Sequence, residues 1–410
     1  MTRARNVADI IKQPFTTTLG TSNYRAGVNA GNSITANTNF NVCIGDEAGT
    51  ALNGGDENVF VGYNAGLANS TGSSNVAIGR AALVGNVGGT RNTAIGDASL
   101  ASASGSDNNV AVGRASGLNC TGGNNTFIGT DAGEMATSAD SSTFVGAFAG
   151  QGITGAKLTG NQNTAVGKDA GTLLQGAAAD NSLFGFGAGK AITTNTGNTL
   201  IGKEAGDAIT GQDNVMVGHL AGTFGSDDVT SGAGNVLIGP YMASTDGTDN
   251  FAHGLGYNLD CAPDFTTLGQ GGSDIRAAHG TATWNTVSDA RYKKDIVDST
   301  AGLSFINALQ PRTFKYKNLG ELPETFRAYE ADSTDVFKNS DTNHGFIAQE
   351  VKAAIDADSS LKDGFRLWGE RADGSQEIGE AALIPMLTKA VQELSTALDA
   401  ALARIATLEG

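Results

Sequence analysis

The stretch Asn58-Val-Phe-Val-Gly62-Tyr-Asn-Ala-Gly66 decides how this chain folds, because the chain keeps repeating it. Seventeen residues on stands Asn75-Val-Ala-Ile-Gly79, and seventeen after that Asn92-Thr-Ala-Ile-Gly96. The general form is Asn-(Val/Thr)-x-(Ile/Val)-Gly followed by x-x-Ala-Gly. Twelve copies run from Asn41 to Gly239, their closing glycines 16 to 21 residues apart and most often 17. A fixed period of this length predicts one supersecondary unit stacked many times.

Each copy carries a three-residue strand such as Val59-Phe60-Val61 or Thr126-Phe127-Ile128. β-Branched residues flank a central one that points the opposite way, so both faces of the strand are apolar. The central position holds Cys43, Phe60, Ala77, Ala94, Ala111, Phe127, Phe144, Ala165, Leu183, Leu200, Met216 and Leu237. One face is expected to fill the inside of a coil, and the simplest cover for the other is an identical chain. The glycine after the strand permits a positive-φ turn, and the Ala-Gly four residues on marks a second tight corner. Asn41, Asn58, Asn75, Asn92 and their successors share one register, where stacked coils align amides into a hydrogen-bonded ladder. Ser142 breaks that series, and Phe184 is the bulkiest occupant of the Ile/Val position. The expected fold class is mainly β: a trimeric β-solenoid of about twelve 17-residue repeats, followed by an α+β domain.

Composition agrees with a repeat. Of 410 residues 58 are Gly, 6 are Pro, and 17% are charged. A net charge of −16 argues against a nucleic-acid surface, which needs clustered Lys and Arg. Three scattered cysteines, Cys43, Cys120 and Cys261, fit neither a disulfide framework nor a CxxC metal site. The Asp- and Asn-rich corners lack the GGxGxDxUx calcium nonapeptide, so plain turn chemistry is the better account of them. No metal and no cofactor are expected. Nor is a secretion signal or membrane insertion, because no long apolar run appears.

Beyond Ser288 glycine thins and charge rises. Arg312-Thr-Phe-Lys-Tyr-Lys317 alternates as a strand does, and residues 344–355, HGFIAQEVKAAI, pass from a short apolar run into helical spacing at Ile347, Val351, Ala354 and Ile355. Ile384, Leu387, Val391, Leu394, Leu398, Ala401, Ile405 and Leu408 then form a heptad seam to the chain end. Ile and Val at one core position with Leu at the other favour two strands, so the seam alone does not specify a trimer. The alternative is a last helix packed on its own domain.

Several of these stretches, in order, carry a resemblance. Ser288-Asp-Ala-Arg-Tyr-Lys-Lys-Asp-Ile296, Leu309-Gln-Pro311 with Phe314-Lys-Tyr316, Gly345-Phe-Ile-Ala-Gln-Glu-Val351 and the terminal helix resemble the intramolecular chaperone of phage tail spikes and fibres, the S74 peptidase family. The resemblance covers about residues 286–410. It implies a domain that trimerises, assists folding of the β-structure before it, and cuts itself off on the N-terminal side of the serine. Position by position it implies Ser288 as nucleophile, Lys293 as base and Val287–Ser288 as the scissile bond. A serine hydroxyl needs a neighbour to take its proton, and a lysine near cations or in a dry site can do so. Arg291 and Lys294 are such cations, and Asp289 either orients the lysine or contacts the turn. By itself a Ser and a Lys five apart is a weak signal, equally read as a solvated linker.

The expected organisation is an attachment segment over 1–40, with a short helix at Asn6–Lys12, a repeat shaft over 41–239, a distal tip over 240–287 and the chaperone over 288–410. Phe265–Leu268 and Thr281–Trp284 read as tip strands. Tyr241, Phe251, Tyr257, Phe265 and Trp284 are candidates there for contact with a host receptor, glycans included. The implied protein is a virion appendage assembled in the host cytoplasm as a homotrimer and joined to other virion proteins through its N-terminal segment. A tail-spike-like polysaccharide depolymerase, a bacterial trimeric surface adhesin, and a chaperone kept uncut as a permanent clamp stay open as alternatives.

Overall fold

The computed structural model describes residues 20–223, 228–361 and 366–409. The helix expected at Asn6–Lys12 lies outside them. The chain divides into two compact units, Met1–Ser288 and Asp289–Gly410.

In the first unit, three-residue strands stack in parallel with a one-coil register, Cys43 opposite Phe60 and Phe60 opposite Ala77. Among the described residues the sheet has seventeen strands, of which the last two, Ser273–Ala278 and Asn285–Thr286, run antiparallel. The coil is longer than the motif at both ends. It opens with Tyr24–Ala26, inside the segment expected to precede the shaft, and continues through His253–Tyr257 and Phe265–Gln270, inside the expected tip. Asn23-Tyr-Arg-Ala-Gly27 keeps the Asn and Gly of the repeat but has lost its β-branched residues, which hid it. Arg25 occupies the position that is buried in every later coil, yet it is exposed and its Nη1 donates to the Gly31 carbonyl at 2.6 Å. Among the described residues it stands in the first coil, where a charge takes the place of the apolar strand centre. Of the two tip strands expected, Phe265–Leu268 is present, whereas Thr281–Trp284 is irregular and the strand falls at Asn285–Thr286.

The central strand residues, from Cys43 and Phe60 to Met216 and Leu237, are all 0% exposed. They interlock with the Ala-Gly corner. A Cβ on Gly66 would sit 2.7 Å from the Phe60 ring. Where the strand carries only Ala77 or Ala94, the corner glycine becomes Leu83 or Leu100, both fully buried. Volume lost from the strand is thus restored from the corner, at the expense of a leucine backbone with φ of 51° or 47°. The glycine closing each strand admits no such exchange. Gly113 has φ 136°, and a Cβ there would lie 2.4 Å from the Gly129 carbonyl oxygen of the next coil.

The asparagines form the expected ladder. Asn109 donates through its backbone N–H and Nδ2 to Asn92 Oδ1 at 3.0 and 3.2 Å, and through Nδ2 to the Gly122 carbonyl at 3.0 Å. Its own Oδ1 accepts from the Asn125 backbone N–H and Nδ2 at 3.0 and 3.1 Å. At Ser142 the row continues more thinly: the backbone N–H still reaches Asn125 Oδ1 at 2.9 Å, and Oγ accepts from the Asn163 N–H at 3.3 Å. A second row was not anticipated. Asp56, Asp107 and Asp140 each accept a backbone N–H from the preceding coil, at 2.6, 2.6 and 2.5 Å.

On the outer face the first residue of each repeat strand is half-buried. The third forms an apolar stripe, Ile44, Ile78, Ile95, Ile128, Ile201 and Ile238 being 37–41% exposed.

The second unit has its own small core of Ala301, Phe305, Leu309, Val351, Ile355, Leu361, Leu367 and Leu383. It is assembled by helices α1 (Leu303–Ala308), α2 (Ala348–Ala357) and α3 (Ile384–Glu409) with two short antiparallel strand pairs. The strand expected over Arg312–Lys317 stops at Phe314. There the chain leaves the sheet, and Tyr316 packs edge-on between Phe314 and Phe337. Helix α3 packs on its own domain at its start and leaves its heptad seam uncovered. Leu383, in the turn just before it, belongs to the core; Met386 of its first turn packs against that core, Ala390 is buried, and Glu393 Oε2 accepts the Leu303 backbone N–H at 2.8 Å, capping α1. Its other face, Ile384, Leu387, Val391, Leu394, Leu398, Ile405 and Leu408, is 46–79% exposed, with Leu402 beside it.

The ladder makes a testable demand. Asn109→Ala strands buried donors and acceptors on two neighbouring coils and should lower shaft stability by about 2–4 kcal/mol. Lys157→Ala, at an exposed loop, should change it by no more than about 0.5 kcal/mol. Urea unfolding followed by circular dichroism compares the two.

Candidate functional site

The stretch singled out by sequence begins where the shaft ends. Asn285–Thr286 pairs antiparallel with Ser273–Ala278, Thr286 opposite Ile275 and Asn285 opposite Arg276. Val287 and Ser288 follow outside any regular element, and both are exposed. A single 3-10 turn, Ala290–Tyr292, comes next, closed by Tyr292 N–H to the Asp289 carbonyl at 3.1 Å and Lys293 N–H to the Ala290 carbonyl at 3.0 Å. Asp289 starts the turn because its side chain can satisfy an N–H that the first turn leaves open. Its Oδ1 accepts from the Arg291 backbone N–H at 2.8 Å. Lys293 ends the turn in extended conformation, with φ −117° and ψ 146°.

The electrostatics of the segment are concentrated in one pair. The Arg291 guanidinium donates to both carboxylate oxygens of Asp289, Nε to Oδ1 at 3.0 Å and Nη2 to Oδ2 at 2.6 Å. Those side-chain bonds, and then the backbone bond to the same residue, hold the Asp289 carboxyl below its ordinary range, and Arg291 is raised in turn. That backbone bond is a contact with the turn, one of the two roles expected for Asp289. The charge of Arg291 is correspondingly paired with Asp289. Lys293 and Lys294 are both exposed. Ser288 is the last residue of the first unit, and Asp289, Arg291, Lys293 and Lys294 belong to the second.

Within the second unit the separated motifs come together. Arg312, directly after Leu309-Gln-Pro311, forms a two-pronged ion pair with Glu350 of the GFIAQEV stretch, Nε to Oε2 and Nη2 to Oε1 both at 2.9 Å. The bonds from Arg312 hold the Glu350 carboxyl below its usual range. The strands Arg312–Phe314 and Asn343–Gly345 pair, with Thr313 opposite His344. Ile347 starts α2, and Val351 and Ile355 place its apolar face in the core. The pair and the Glu393 cap on α1 are the structurally decisive polar contacts that sequence reasoning did not single out. Glu350 stood inside a recognised motif, but its partner lies 38 residues away; Glu393 reaches 90 residues back, beyond any local pattern. Beside the paired strands lies an open hollow of about 620 Å³ whose lining includes Arg312, His344, Phe346 and Glu380.

Comparison with known families bears on this segment. Residues 288–359 match the Peptidase S74 family, described as the chaperone of endosialidase. The match opens on Ser288 itself and takes in the turn, the two paired strands and α2. It covers a minor part of the chain, and the shaft lies outside it. Neither the curated proteins nor the solved structures gave a match. A chaperone-of-endosialidase segment directly behind a β-solenoid is the make-up of a tail-fibre- or spike-like protein.

The Asp289–Arg291 pair predicts its own titration. The Asp289 carboxyl should protonate below the normal aspartate range, and Arg291→Ala should move its midpoint upward, though the remaining backbone bond keeps part of the depression. Because the folded-state value is lowered, the bond supports the turn above the unfolded pKa and is lost as pH falls through the folded one. Carboxyl carbon shifts followed by NMR against pH measure both midpoints.

Proposed function

We propose that this protein is a phage tail fibre or another virion appendage for host attachment, with a C-terminal chaperone that aligns three chains and then cuts itself away between Val287 and Ser288. The observation that carries the reading is that the family match begins at the residue where the solenoid's compact unit stops.

The repeat itself creates the need for such a domain. Successive coils are near-copies, so chains placed side by side can pair one coil out of step at little local cost. The exposed seam of α3 supports an alignment device outside the repeat, since a 26-residue helix with one apolar face uncovered is suited to bundling with copies of itself. The apolar outer stripe of the shaft would be covered by the same neighbours.

The cleavage follows from the chemistry of the residues. Ser288 Oγ attacks the Val287 carbonyl carbon while Lys293 takes the hydroxyl proton. The Val287–Ser288 C–N bond breaks as the Ser288 nitrogen receives that proton, leaving an ester on Oγ. Water then hydrolyses the ester to a Val287 carboxylate and a free Ser288 hydroxyl. A lysine acts as a base when it is desolvated or set beside cations. Since Lys293 is exposed in the single chain and Arg291 is paired with Asp289, the assembled neighbours are the source of that desolvation.

Attachment would run from the N-terminal segment, at the virion, to the far end of the shaft. There Phe251, Tyr257 and Trp284 are 46–56% exposed, and Tyr241 and Phe265 half-buried, which suits the first three to stacking on a host glycan.

Two experiments test the reading. Intact mass of wild type should show chains ending at Val287, and Ser288→Ala or Lys293→Ala should remain whole; uncut wild type in assembled protein would make the C-terminal unit a permanent clamp. Light scattering on uncut Ser288→Ala should give three chains. Leu394→Asp with Leu398→Asp, which places carboxylates in the seam, should reduce it to monomers, and retention of the trimer would remove the helix from that role.

A further inference from the structure

We infer that one corner of the shaft, from Phe148 to Tyr257, is a lengthwise binding site for an acidic polysaccharide. The inference rests on the attachment reading above and deepens it, naming the class of ligand and setting a contact on the flank of the shaft.

The corner lies just beyond the glycine that closes each strand, and its chemistry changes along the shaft. In earlier coils its charges answer one another from coil to coil: Arg80 Nη2 donates to Asp97 Oδ2 at 2.8 Å, and Arg114 Nη2 to Asp131 Oδ2 at 2.5 Å. From Phe148 onward rings and ammonium groups take over. Lys168 Nζ lies 5.9 Å from the centre of the Phe148 ring in the coil before it and 5.3 Å from that of Phe186 in the coil after. Lys203 follows in the next coil. His219 and Tyr241 then meet edge-on with ring centres 5.2 Å apart, and Tyr241 and Tyr257 at 5.6 Å. The row spans seven successive coils, about 29 Å at the spacing of paired strands.

Its members are held at fixed intervals by the backbone. Glu204 N–H donates to the Phe186 carbonyl at 2.8 Å, Leu220 N–H to the Lys203 carbonyl at 3.0 Å, and Tyr241 N–H to the His219 carbonyl at 2.9 Å. A ligand that itself repeats can therefore make the same contact many times, on a surface that needs little ordering to receive it. Aromatic faces at such intervals suit the C–H faces of successive sugar rings.

The lysines set the sign of the ligand. The four lysines between Asn41 and Gly239, Lys157, Lys168, Lys190 and Lys203, all fall within residues 146–203, where only Asp169 and Asp180 oppose them. Four positive charges against two leave this stretch at +2 in a chain of net charge −16. Lys168 and Lys203 each pair with the acidic residue that follows, but the ammonium is the outer partner, its side chain 55% exposed against 19% for Asp169 and 57% against 28% for Glu204. A sugar carboxylate laid across the rings meets the ammonium groups first.

The test uses the full-length protein on immobilised polygalacturonate and hyaluronan, with neutral dextran beside them. Wild type should hold the acidic polymers about tenfold more tightly than dextran and lose them as salt rises. A long oligosaccharide fragment should compete better than a disaccharide. Phe186→Ala and Lys168→Gln should each weaken binding about fivefold or more. Tyr63→Ala removes an exposed ring at the same corner outside the row and should stay within about twofold of wild type. Light scattering and the thermal midpoint, followed in parallel, should not change in any variant. Binding that survives Phe186→Ala and Lys168→Gln but is lost in Trp284→Ala keeps glycan attachment at the far end and overturns the row. Equal retention on dextran overturns the acidic ligand, and loss of subunit mass in Phe186→Ala assigns that ring to contact between copies and removes it from the row. Failure of wild type to hold either acidic polymer overturns the proposal, and adsorption of the same protein to intact host cells then judges the attachment reading by itself.

Discussion

The approach of one coil to the next at the glycine that closes each strand is the constraint from which the shaft follows. At Gly113 the next coil's carbonyl oxygen sits where a Cβ would be, and the backbone takes a φ that side chains rarely adopt. Only glycine satisfies both demands, so coils can stack closely enough for three-residue strands to pair in parallel. That spacing brings the asparagine amides within reach of one another, and the ladder satisfies buried polar groups that would otherwise be costly. It also limits the interior to what the strand centre and the Ala-Gly corner hold between them, which is why Leu83 and Leu100 appear opposite Ala77 and Ala94.

A structure made of near-identical layers is well specified within a chain and poorly specified between chains. Covalent connection fixes which coil follows which, but nothing in the outer stripe distinguishes Ile78 from Ile95. The distinguishing information lies at the ends: Arg25 closing the first coil, the antiparallel hairpin closing the last, and a C-terminal unit built on other principles. That unit has a compact core and long-range polar contacts, Arg312 with Glu350 and Glu393 with the start of α1, which tie distant segments to one arrangement.

Most of the shaft was legible because a period of 17 with invariant chemistry at each step is a strong signal, and the buried centres and the ladder fell where the period put them. The ends were less so. Arg25 and His253 replace the residues that define the repeat, so stacking continues past the point where the pattern stops. The seam of α3 was visible as a heptad, but that the same helix also packs on its own domain depended on Met386 and Glu393, which meet partners far away in sequence. At the cleavage segment the sequence supplied residue types and order. It left the role of Asp289 divided, and the pairing of its carboxylate with the Arg291 guanidinium depended on a turn.

The thinning of the ladder at Ser142 acquires meaning when the shaft is considered as a load-bearing rod. Strand and ladder hydrogen bonds run from coil to coil, along the long axis, so tension applied between the two ends is carried by them in series. A series of links yields at its weakest member. Ser142 contributes its backbone N–H and one oxygen where every neighbouring asparagine also offers an amide donor, and 21 residues instead of the usual 17 separate it from Asn163. A pulled shaft would therefore yield first at such long, singly bonded links, between the coils of Thr143 and Thr164 or those of Val215 and Val236.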